Sequence, residues 1–438
     1  MPSATQTLSS TLSSLSLRGS QPSQPPTTTT PFKVAPLEPS GALNEQRFPR
    51  VELTPALGDK FDASVRLKEL LQLPKEEGDA VLRDLAILVS HRGVVFFQDQ
   101  HDLVPEDLGI LALRLGELAG KPAESTLHMC VFALSSSLLT RALPASTRGN
   151  KLSLTGRPKF YSHPTQELSE TGLPLGKISS LPEKDGRQIS FAESGLTSKG
   201  WHSDVSFEPY PSLFTILKMH TIPKVGGDTL WHSNYHSYNA LTPAYRAFLE
   251  GLTATHDAER FRIQARVNGY KLRTEARGHP ANDGDAFQAV HPVIRCVSLS
   301  SSFLQRSCAA PDSSLYNAVY QLTADVSAGS TNQVTGQKAL YVNTTFTARI
   351  NELSYDESRS VLDYLFKLQH ESHDAHVKYK WAKHDVALWS NSVVNHLATF
   401  DFSEYRAGDR AVVVGEKPYY DPASIGRREY LEGLQAAA

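Results

Sequence analysis

Cysteine is scarce in this chain, whose 438 residues include only Cys130, Cys296 and Cys308. Three cysteines cannot build the disulfide framework of a small secreted protein, and no two of them have the Cys-X-X-Cys spacing of zinc or redox sites. Long apolar runs are also absent, because none approaches the roughly 18 residues that a membrane-spanning helix needs. The sequence therefore predicts neither a disulfide scaffold nor a membrane protein.

An excess of charge of one sign is missing too. The chain has 44 Lys and Arg against 46 Asp and Glu, a formal net charge of -2. Proteins that bind nucleic acids usually carry a basic excess that neutralises phosphates, so we expect no nucleic-acid partner. Gly226-Gly227 is not followed by Lys-Ser/Thr at Walker spacing, which favours a turn over a phosphate loop. The expected partner is a small molecule.

The two ends of the chain differ in composition from the middle. Residues 1–45 are rich in Ser, Thr and Pro and have too few large apolar residues to offset the entropy of ordering, so we expect a disordered tail. Arg18 is the single early positive charge, which favours the cytoplasm, with the mitochondrion as the alternative. Residues 46–425 are expected to form one soluble domain, and 426–438 a C-terminal tail.

Hydrophobic spacing gives a coarse secondary structure. Apolar residues recur at helical intervals over 63–92, 105–118, 237–251 and 356–368. Short strand-like runs are found at 94–97, 202–207, 213–220, 386–389, 396–402 and 410–414. Helices therefore dominate early, and strands dominate late.

A His-X-Asp motif stands out within one of the predicted strands. His202 and Asp204 are two residues apart, so a strand would place both side chains on one face. A distant His396 could complete a set of two imidazoles and one carboxylate, the arrangement of non-haem Fe(II) oxygenases. By itself a His-X-Asp pair is more often a surface hydrogen-bonding pair. Its meaning depends on the surrounding segments.

Five further segments flank the motif in a fixed order, from Phe48 to Pro422. They are Pro49-Arg50-Val51-Glu52-Leu53, Arg92-Gly93-Val94-Val95-Phe96-Phe97, Gly226-Gly227-Asp228-Thr229-Leu230, the run from Asn395 to Phe402, and Gly415-Glu416-Lys417-Pro418. Together with Trp201-His202-Ser203-Asp204, they resemble the taurine and sulfonate dioxygenase family.

This resemblance implies a mainly β fold with flanking helices, a distorted double-stranded β-helix of the jelly-roll or cupin kind. It implies Fe(II) held by His202, Asp204 and His396, with 2-oxoglutarate and O2 as co-substrates. Arg406 and Thr229 match the residues that bind the far carboxylate of 2-oxoglutarate, although one residue fewer separates His396 from Arg406 than in the family. Related halogenating enzymes lack the carboxylate of Asp204, so its presence favours hydroxylation.

The resemblance also implies a small anionic substrate, with an alkylsulfonate expected to yield sulfite and an aldehyde in sulfur metabolism. Arg410, His163 and Ser198 match substrate-side positions of the family. Gln166 replaces a family Tyr, and 389–392 read Trp-Ser-Asn-Ser where the family has Trp-Asp-Asn-Arg. These departures argue against taurine itself as the substrate, although the resemblance implies a role in taurine catabolism or related sulfur metabolism.

Two segments, 129–161 and 296–330, interrupt the resemblance, which resumes cleanly after each. Both contain a Cys-Val pair near their start, whose codons supply a splice donor, so we hypothesise that they are retained introns. The alternative is a pair of true surface insertions, which loops tolerate well. Sequencing the transcript would distinguish the two.

Other interpretations remain open at this point. The same chemistry could act on an aryloxy acid or a sulfate ester, or the fold could be a non-catalytic cupin-like binding protein. The chain could also be an inactive product of an unspliced transcript. His232 and His236, four residues apart, are expected to be solvated surface residues, and a homo-oligomer is compatible with the sequence.

Overall fold

Eight helices lie in the described part of the chain, and most of them flank the sheets. The computed structural model describes residues 36–128, 176–179, 196–268, 272, 274–296, 299–300, 331–332 and 334–437, all of them within a unit that spans 34–438. The helices are α1 Leu67–Gln72, α2 Lys75–Arg92, α3 Pro105–Leu118, α4 Asn234–Ala240, α5 Pro243–Leu249, α6 Glu259–Asn268, α7 Tyr355–Glu371 and α8 Arg427–Ala437. None of these described helices has the length and apolar character needed to cross a lipid bilayer.

Strands make up the centre of the described structure. In chain order they are β1 Arg50–Glu52, β2 Asp59–Phe61, β3 Val94–Phe97, β4 Gly176–Ser179, β5 Ser212–Thr221, β6 Thr229–Ser233, β7 Thr253–Asp257, β8 Gln288–Pro292, β9 Ile294–Cys296, β10 Leu299–Ser300, β11 Thr331–Asn332, β12 Gln337–Leu340, β13 Thr347–Ile350, β14 His376–Tyr379, β15 Val386–Ser390, β16 Val394–Ala398, β17 Ala407–Val414 and β18 Ile425–Gly426. All described strand pairs except β2 with β3 and β12 with β18 are antiparallel.

Two sheets face each other around the core. The larger sheet has the order β1-β2-β3-β15-β5-β17-β4, and the smaller has the order β14-β6-β16. Trp231 of β6 reaches across the gap, with its ring centroid 5.2 Å from that of Phe96 and 5.6 Å from that of Trp389. This architecture confirms the expected jelly roll with flanking helices.

Helix α3 covers the outside of the larger sheet. It begins at Pro105, as predicted, and buries Leu108, Leu111 and Leu115. At Gly116 a Cβ atom would lie 2.9 Å from a methyl group of Val413 in β17. The helix can therefore approach the strand closely only because this position has no side chain.

Two predicted helices are each divided by a residue that interrupts helical hydrogen bonding. The helix expected over 63–92 breaks at Leu73 and Pro74, because proline has no N–H to continue the first helix. The helix expected over 237–251 divides at Thr242, whose hydroxyl caps α5 directly before Pro243. Phe248, one of the apolar residues at helical spacing in this range, is 43% exposed.

The ordered domain extends beyond its predicted N-terminal boundary. Residues 1–35 of the predicted tail lie outside the described residues. Within 36–45, the backbone N–H groups of Ser40 and Leu43 donate to the carboxylate of Asp84 at 2.7 and 3.2 Å. This segment therefore packs on α2 instead of forming part of a disordered tail.

The C-terminal boundary also needs correction. Within the predicted tail, 426–438, Arg427 begins helix α8 and donates to the carbonyl of His91 at 2.7 Å. Its guanidinium lies 5.6 Å from the centroid of the Tyr235 ring. The C-terminal residues are thus helical and are tied to α2 and α4.

The second suspect segment starts later than predicted. Cys296 is fully buried in β9, and its sulfur accepts a hydrogen bond from the N–H of Asp421 at 3.2 Å. It therefore belongs to the domain core. Leu299 and Ser300 pair with Thr331 and Asn332, so the chain leaves and returns at adjacent points. Residues 301–330, and the whole of 129–161, lie outside the described residues.

Candidate metal centre

Two imidazoles and one carboxylate meet where β16 crosses the segment before β5. Potential ligand atoms of His202, Asp204 and His396 all lie within 4.8 Å of one another. Asp204 Oδ1 is 3.8 Å from His202 Nε2 and 3.9 Å from His396 Nε2. The structure thus brings together the three side chains that the sequence singled out, although they come from distant parts of the chain.

The predicted strand over 202–207 is wrong. Only His202 pairs, in an isolated bridge with His396, in which each backbone N–H donates to the carbonyl of the other at 3.0 and 2.8 Å. Asp204 then enters a turn, and Val205 has a φ of +48°. A β-branched residue rarely adopts this left-handed conformation, which is a form of strain found at functional sites. The turn, and not strand alternation, directs Asp204 towards the imidazoles.

Asn391 holds this turn in place from the loop between β15 and β16. Its side-chain oxygen accepts the N–H of Asp204 at 3.0 Å and the indole N–H of Trp389 at 3.2 Å. Its carbonyl accepts the hydroxyl of Ser203 at 2.8 Å. In the sequence, Asn391 was noted only as a member of the segment 389–392, which departs from the family. Nothing in that segment indicated that Asn391 would hold the turn at Asp204.

The electrostatics of the cluster favour its metal-binding protonation state. Burial alone would raise the pKa of Asp204, but the charge of Arg410 and the two imidazoles hold that pKa below its usual range. Burial lowers the pKa of His396 to about 3 and also lowers the pKa of His202. At neutral pH the site therefore offers one carboxylate and two neutral imidazoles.

The donor set fits ferrous iron. The Nδ1 of His202 lies 2.8 Å from the carbonyl of Gly200, so it carries the proton and Nε2 is the deprotonated nitrogen that could bind a metal. The Nδ1 of His396 is buried and has no hydrogen-bond partner among the described residues. Two imidazoles and one carboxylate on one side of an ion leave its other positions to co-substrates.

Thr215 of β5 contacts the second oxygen of the carboxylate. Its hydroxyl donates to Asp204 Oδ2 at 2.8 Å and accepts from the side-chain amide of Asn391 at 2.8 Å. Both Thr215 and Asp204 are buried. The hydroxyl thus occupies one carboxylate oxygen and leaves Oδ1 facing the imidazoles, so we expect Asp204 to coordinate through one oxygen.

Removing this hydroxyl should weaken iron binding. We expect Thr215→Val to raise the Kd for Fe(II) roughly 10- to 100-fold, the usual cost of losing an outer-shell partner of a ligand. Thr215→Ser, which keeps the hydroxyl, should stay within about threefold of the wild-type Kd, a spread that context alone produces. Anaerobic calorimetric titration measures both. If wild type and Thr215→Val bind Fe(II) with equal affinity, Thr215 does not support metal binding.

Arg406 and Thr229 lie together, as the resemblance implied. Arg406 Nε donates to the carbonyl of Gly227 at 2.9 Å, and Nη2 to the hydroxyl of Thr229 at 3.4 Å. The indole N–H of Trp381 also donates to Thr229, at 3.0 Å. Burial lowers the pKa of Arg406 to about 10, while Asp228 opposes that shift. The guanidinium remains charged at neutral pH.

Arg410 brings a second buried guanidinium to the metal cluster. On β17, its Nη1 donates to Asp204 Oδ1 at 3.0 Å, and its Nε has no hydrogen-bond partner among the described residues.

A buried ion pair joins Glu208 and Arg277. The carboxylate of Glu208 accepts from Arg277 at 2.5 and 3.0 Å, and His128 Nε2 lies 3.4 Å from the same carboxylate. Spacing in sequence did not reveal this pair.

The structure links neither of the other two predicted substrate residues, Ser198 and His163, to the metal cluster. Ser198 lies in the 3-10 turn Thr197–Gly200, immediately before Trp201, and is half-buried. No described contact joins its side chain to the metal cluster. His163 lies outside the described residues. Their assignment to the substrate therefore stays a prediction.

His232 and His236 are not the solvated pair that the sequence predicts. His232 is fully buried in β6, with its Nε2 2.6 Å from the hydroxyl of Ser237. His236 is half-buried, 3.8 Å from the carboxylate of Asp374. The prediction failed because the four-residue spacing does not show where α4 begins. The helix starts at Asn234, so His232 lies in strand β6.

Comparison with known proteins gives a consistent picture. The family described as "Taurine catabolism dioxygenase TauD, TfdA family" matches residues 50–415. The alpha-ketoglutarate-dependent dioxygenase esdpJ of Penicillium shearii is 32% identical, over 91% of this chain and 97% of that protein. The alpha-ketoglutarate-dependent sulfonate dioxygenase of Saccharomyces cerevisiae is 27% identical, over 86% and 70% respectively. A taurine dioxygenase structure from Burkholderia xenovorans shares the fold, with a TM-score of 0.51 and 20% identity over 87% and 92%.

Proposed function

This chain belongs to the taurine catabolism dioxygenase TauD, TfdA family, and from that premise we propose that its substrate is an alkylsulfonate. It is a 2-oxoglutarate-dependent dioxygenase that uses Fe(II) and O2, which sets aside the non-catalytic binding protein. When bound, the iron activates O2 while 2-oxoglutarate supplies two electrons and leaves as succinate and CO2. The protein's own residues bind, orient and shield the reactants.

Two groups of residues would hold the cofactors. His202, Asp204 and His396 would bind one side of the iron. Arg406, with five N–H donors in a rigid fork, would bind the far carboxylate of 2-oxoglutarate, helped by the hydroxyl of Thr229. His202 is partly buried and the other four side chains are buried, where such charge-assisted hydrogen bonds are stronger than in water.

The buried Arg410 is the observation that carries the substrate proposal. Its guanidinium lies 3.0 Å from the iron-binding carboxylate of Asp204, so an anionic head bound there would be held beside the metal. Nη1 of Arg410 already pairs with Asp204, but Nε is buried with no hydrogen-bond partner among the described residues, so the guanidinium keeps a donor for a second anion. The carbon next to that head would then be the one closest to the iron.

An apolar wall borders the same space. Val205 follows Asp204 directly, and the ring of Phe346 lies edge-on to His202, with centroids 6.1 Å apart. Both belong to a buried apolar cluster with Phe207, Ala258, Phe261 and Phe287. This wall would exclude water and contact the alkyl part of the substrate.

Sulfite release follows from hydroxylation beside the sulfonate. Once the carbon that bears sulfur carries a hydroxyl group, the C–S bond breaks with its electron pair leaving on sulfur. The hydroxyl proton is lost, and the carbon becomes an aldehyde. Arg410 would stabilise the departing anion through charge-assisted hydrogen bonds.

A substrate panel tests the proposal. We expect alkylsulfonates to stimulate succinate formation with one sulfite released for each succinate, because Arg410 holds the sulfonate beside the iron. Aryloxy acids and alkyl sulfate esters in the same panel provide the alternatives. Succinate formation stimulated by one of those anions, and not by any sulfonate, would overturn the alkylsulfonate proposal while leaving the dioxygenase itself intact.

A further inference from the structure

A cavity of about 340 Å³ lies next to Arg406 but is not lined by the metal cluster. Its volume is at the lower end of the range for small-molecule sites. We refer to it as the lysine pocket. It is lined by Ile222, Pro223, Lys224, Gly226, Gly227, Lys380, Trp381, Ala382 and Lys383.

The lining of the lysine pocket includes three lysines and no acidic residue, and the carboxylate of Asp401 accepts from the N–H of the lining residue Gly227 at 2.9 Å. Lys224, Lys380 and Lys383 are all exposed at its rim. Glu404 is the acidic group nearest to Lys224 among the described ion pairs, 4.0 Å away, and its side chain is 48% exposed. Three lysines around one cavity suit a small anion, because each ammonium group can rotate three donors towards it.

The lining of the pocket is largely apolar and includes one indole side chain, that of Trp381. Trp381 is buried and presents its indole to the cavity beside Ile222. Gly226 and Gly227, with φ of +80° and +73°, form the opposite turn. Neither glycine carries a side chain, so the turn leaves the cavity open. A planar apolar body carrying acidic groups matches this combination of walls and rim.

Two walls of the pocket are hydrogen-bonded to the residues that would anchor 2-oxoglutarate. The carbonyl of Gly227 accepts Arg406 Nε at 2.9 Å. The indole N–H of Trp381 donates to the hydroxyl of Thr229 at 3.0 Å. A molecule that packs against Gly227 or Trp381 is therefore separated from Arg406 or Thr229 by a single hydrogen bond.

We propose that the lysine pocket binds a small planar organic anion and that this binding weakens the binding of 2-oxoglutarate. The second part rests on the proposed role of Arg406. An anion in the pocket and 2-oxoglutarate at Arg406 would both be attracted by that guanidinium, which is hydrogen-bonded to the pocket residue Gly227, so each would reduce the affinity of the other. Such coupling is reciprocal: both Kd values change by the same factor.

Isophthalate, a benzene ring with two carboxylates, is a suitable probe. The zinc-loaded full-length protein does not turn over, so calorimetry can measure isophthalate and 2-oxoglutarate binding separately and together. We expect saturable isophthalate binding with and without 2-oxoglutarate. Saturating isophthalate should raise the Kd for 2-oxoglutarate about fivefold, the lower end of measured couplings, and saturating 2-oxoglutarate should raise the Kd for isophthalate equally.

Charge reversal at the rim distinguishes the pocket from general attraction. We expect Lys380→Glu/Lys383→Glu to weaken isophthalate binding about tenfold, because two favourable ion pairs with its carboxylates become repulsive. Lys367→Glu/Lys417→Glu is the matched control, with the same charge change at exposed lysines that do not line the pocket. The uncharged isophthalamide should not bind.

Three results would overturn the inference. The first is no saturable isophthalate binding at millimolar concentrations. The second is an equal loss of binding in the control variant. The third is strict competition, with the Kd for 2-oxoglutarate rising without limit, because isophthalate would then occupy Arg406 itself. Failure of the sulfonate panel would leave these binding constants unchanged, so the two proposals fail separately.

Discussion

Replacing His202 with Ala is expected to abolish turnover and to raise the Kd for Fe(II) more than about 100-fold. Loss of an outer-shell partner already costs 10- to 100-fold in metal affinity, and His202 contributes a ligand atom itself. The remaining pair, Asp204 and His396, could not compensate, because Arg410 already shares Asp204 Oδ1 at 3.0 Å. Anaerobic calorimetry measures the Kd, and succinate formation measures turnover.

A histidine elsewhere serves as the control for this substitution. His373 is exposed in the 3-10 turn His373–Ala375, and His373→Ala should keep both iron affinity and turnover. Thermal unfolding of both variants without metal separates loss of a ligand from loss of the fold. Iron affinity in His202→Ala equal to that of wild type would contradict the assignment of His202 as a ligand.

Replacing Arg406 with Met is expected to raise the Kd for 2-oxoglutarate at least about 30-fold, equivalent to 2 kcal/mol or more. The reason is that a carboxylate would enter a buried site without its cationic partner. Arg406→Lys should lie between Met and wild type, since it keeps the charge and loses the planar fork. Binding is measured on the zinc-loaded protein, where iron chemistry plays no part.

One outcome would contradict the assignment of Arg406 as the anchor of 2-oxoglutarate. If Arg406→Met binds 2-oxoglutarate as tightly as wild type while the thermal stability is unchanged, the anchor lies elsewhere. Iron affinity in the absence of 2-oxoglutarate should be the same in both proteins. A matched loss of iron affinity would instead indicate general damage to the site.

The identities of the central residues could be predicted from sequence because motifs preserve order along the chain. The structure brings His202, Asp204 and His396 together and places Arg406 beside Thr229, while their binding roles stay predictions. The residue missing between His396 and Arg406 falls in the loop between β16 and β17, which can absorb a deletion.

The local geometry around these residues could not be predicted in the same way. Period-two spacing suggests a strand at His202, but the turn at Val205 depends on Asn391, which is distant in sequence. The hydroxyl of Thr215 contacts Asp204 for the same long-range reason. Hydrophobic periodicity reports burial against a neighbouring layer; it does not report which polar side chains meet across two strands.

The predicted domain boundaries were wrong for a related reason. The segment around Ser40 and Leu43 has a composition typical of disorder, but it is held by one buried carboxylate, Asp84. Cys296 marks the point where the family resemblance stops, yet its side chain packs inside the domain. Composition and resemblance describe average tendencies, whereas single tertiary contacts decide where an ordered domain begins and ends.

We expect one ferrous ion and 2-oxoglutarate to bind together, the ion at His202, Asp204 and His396 and the far carboxylate at Arg406. Anaerobic titration of the iron-loaded protein with 2-oxoglutarate tests it most directly, because chelation of Fe(II) by the keto acid produces a visible charge-transfer absorption. We predict a saturable band in wild type, no band in His202→Ala, and a band in Arg406→Met only at much higher 2-oxoglutarate concentration. A wild-type protein without the band, or an unchanged band in His202→Ala, would contradict the account.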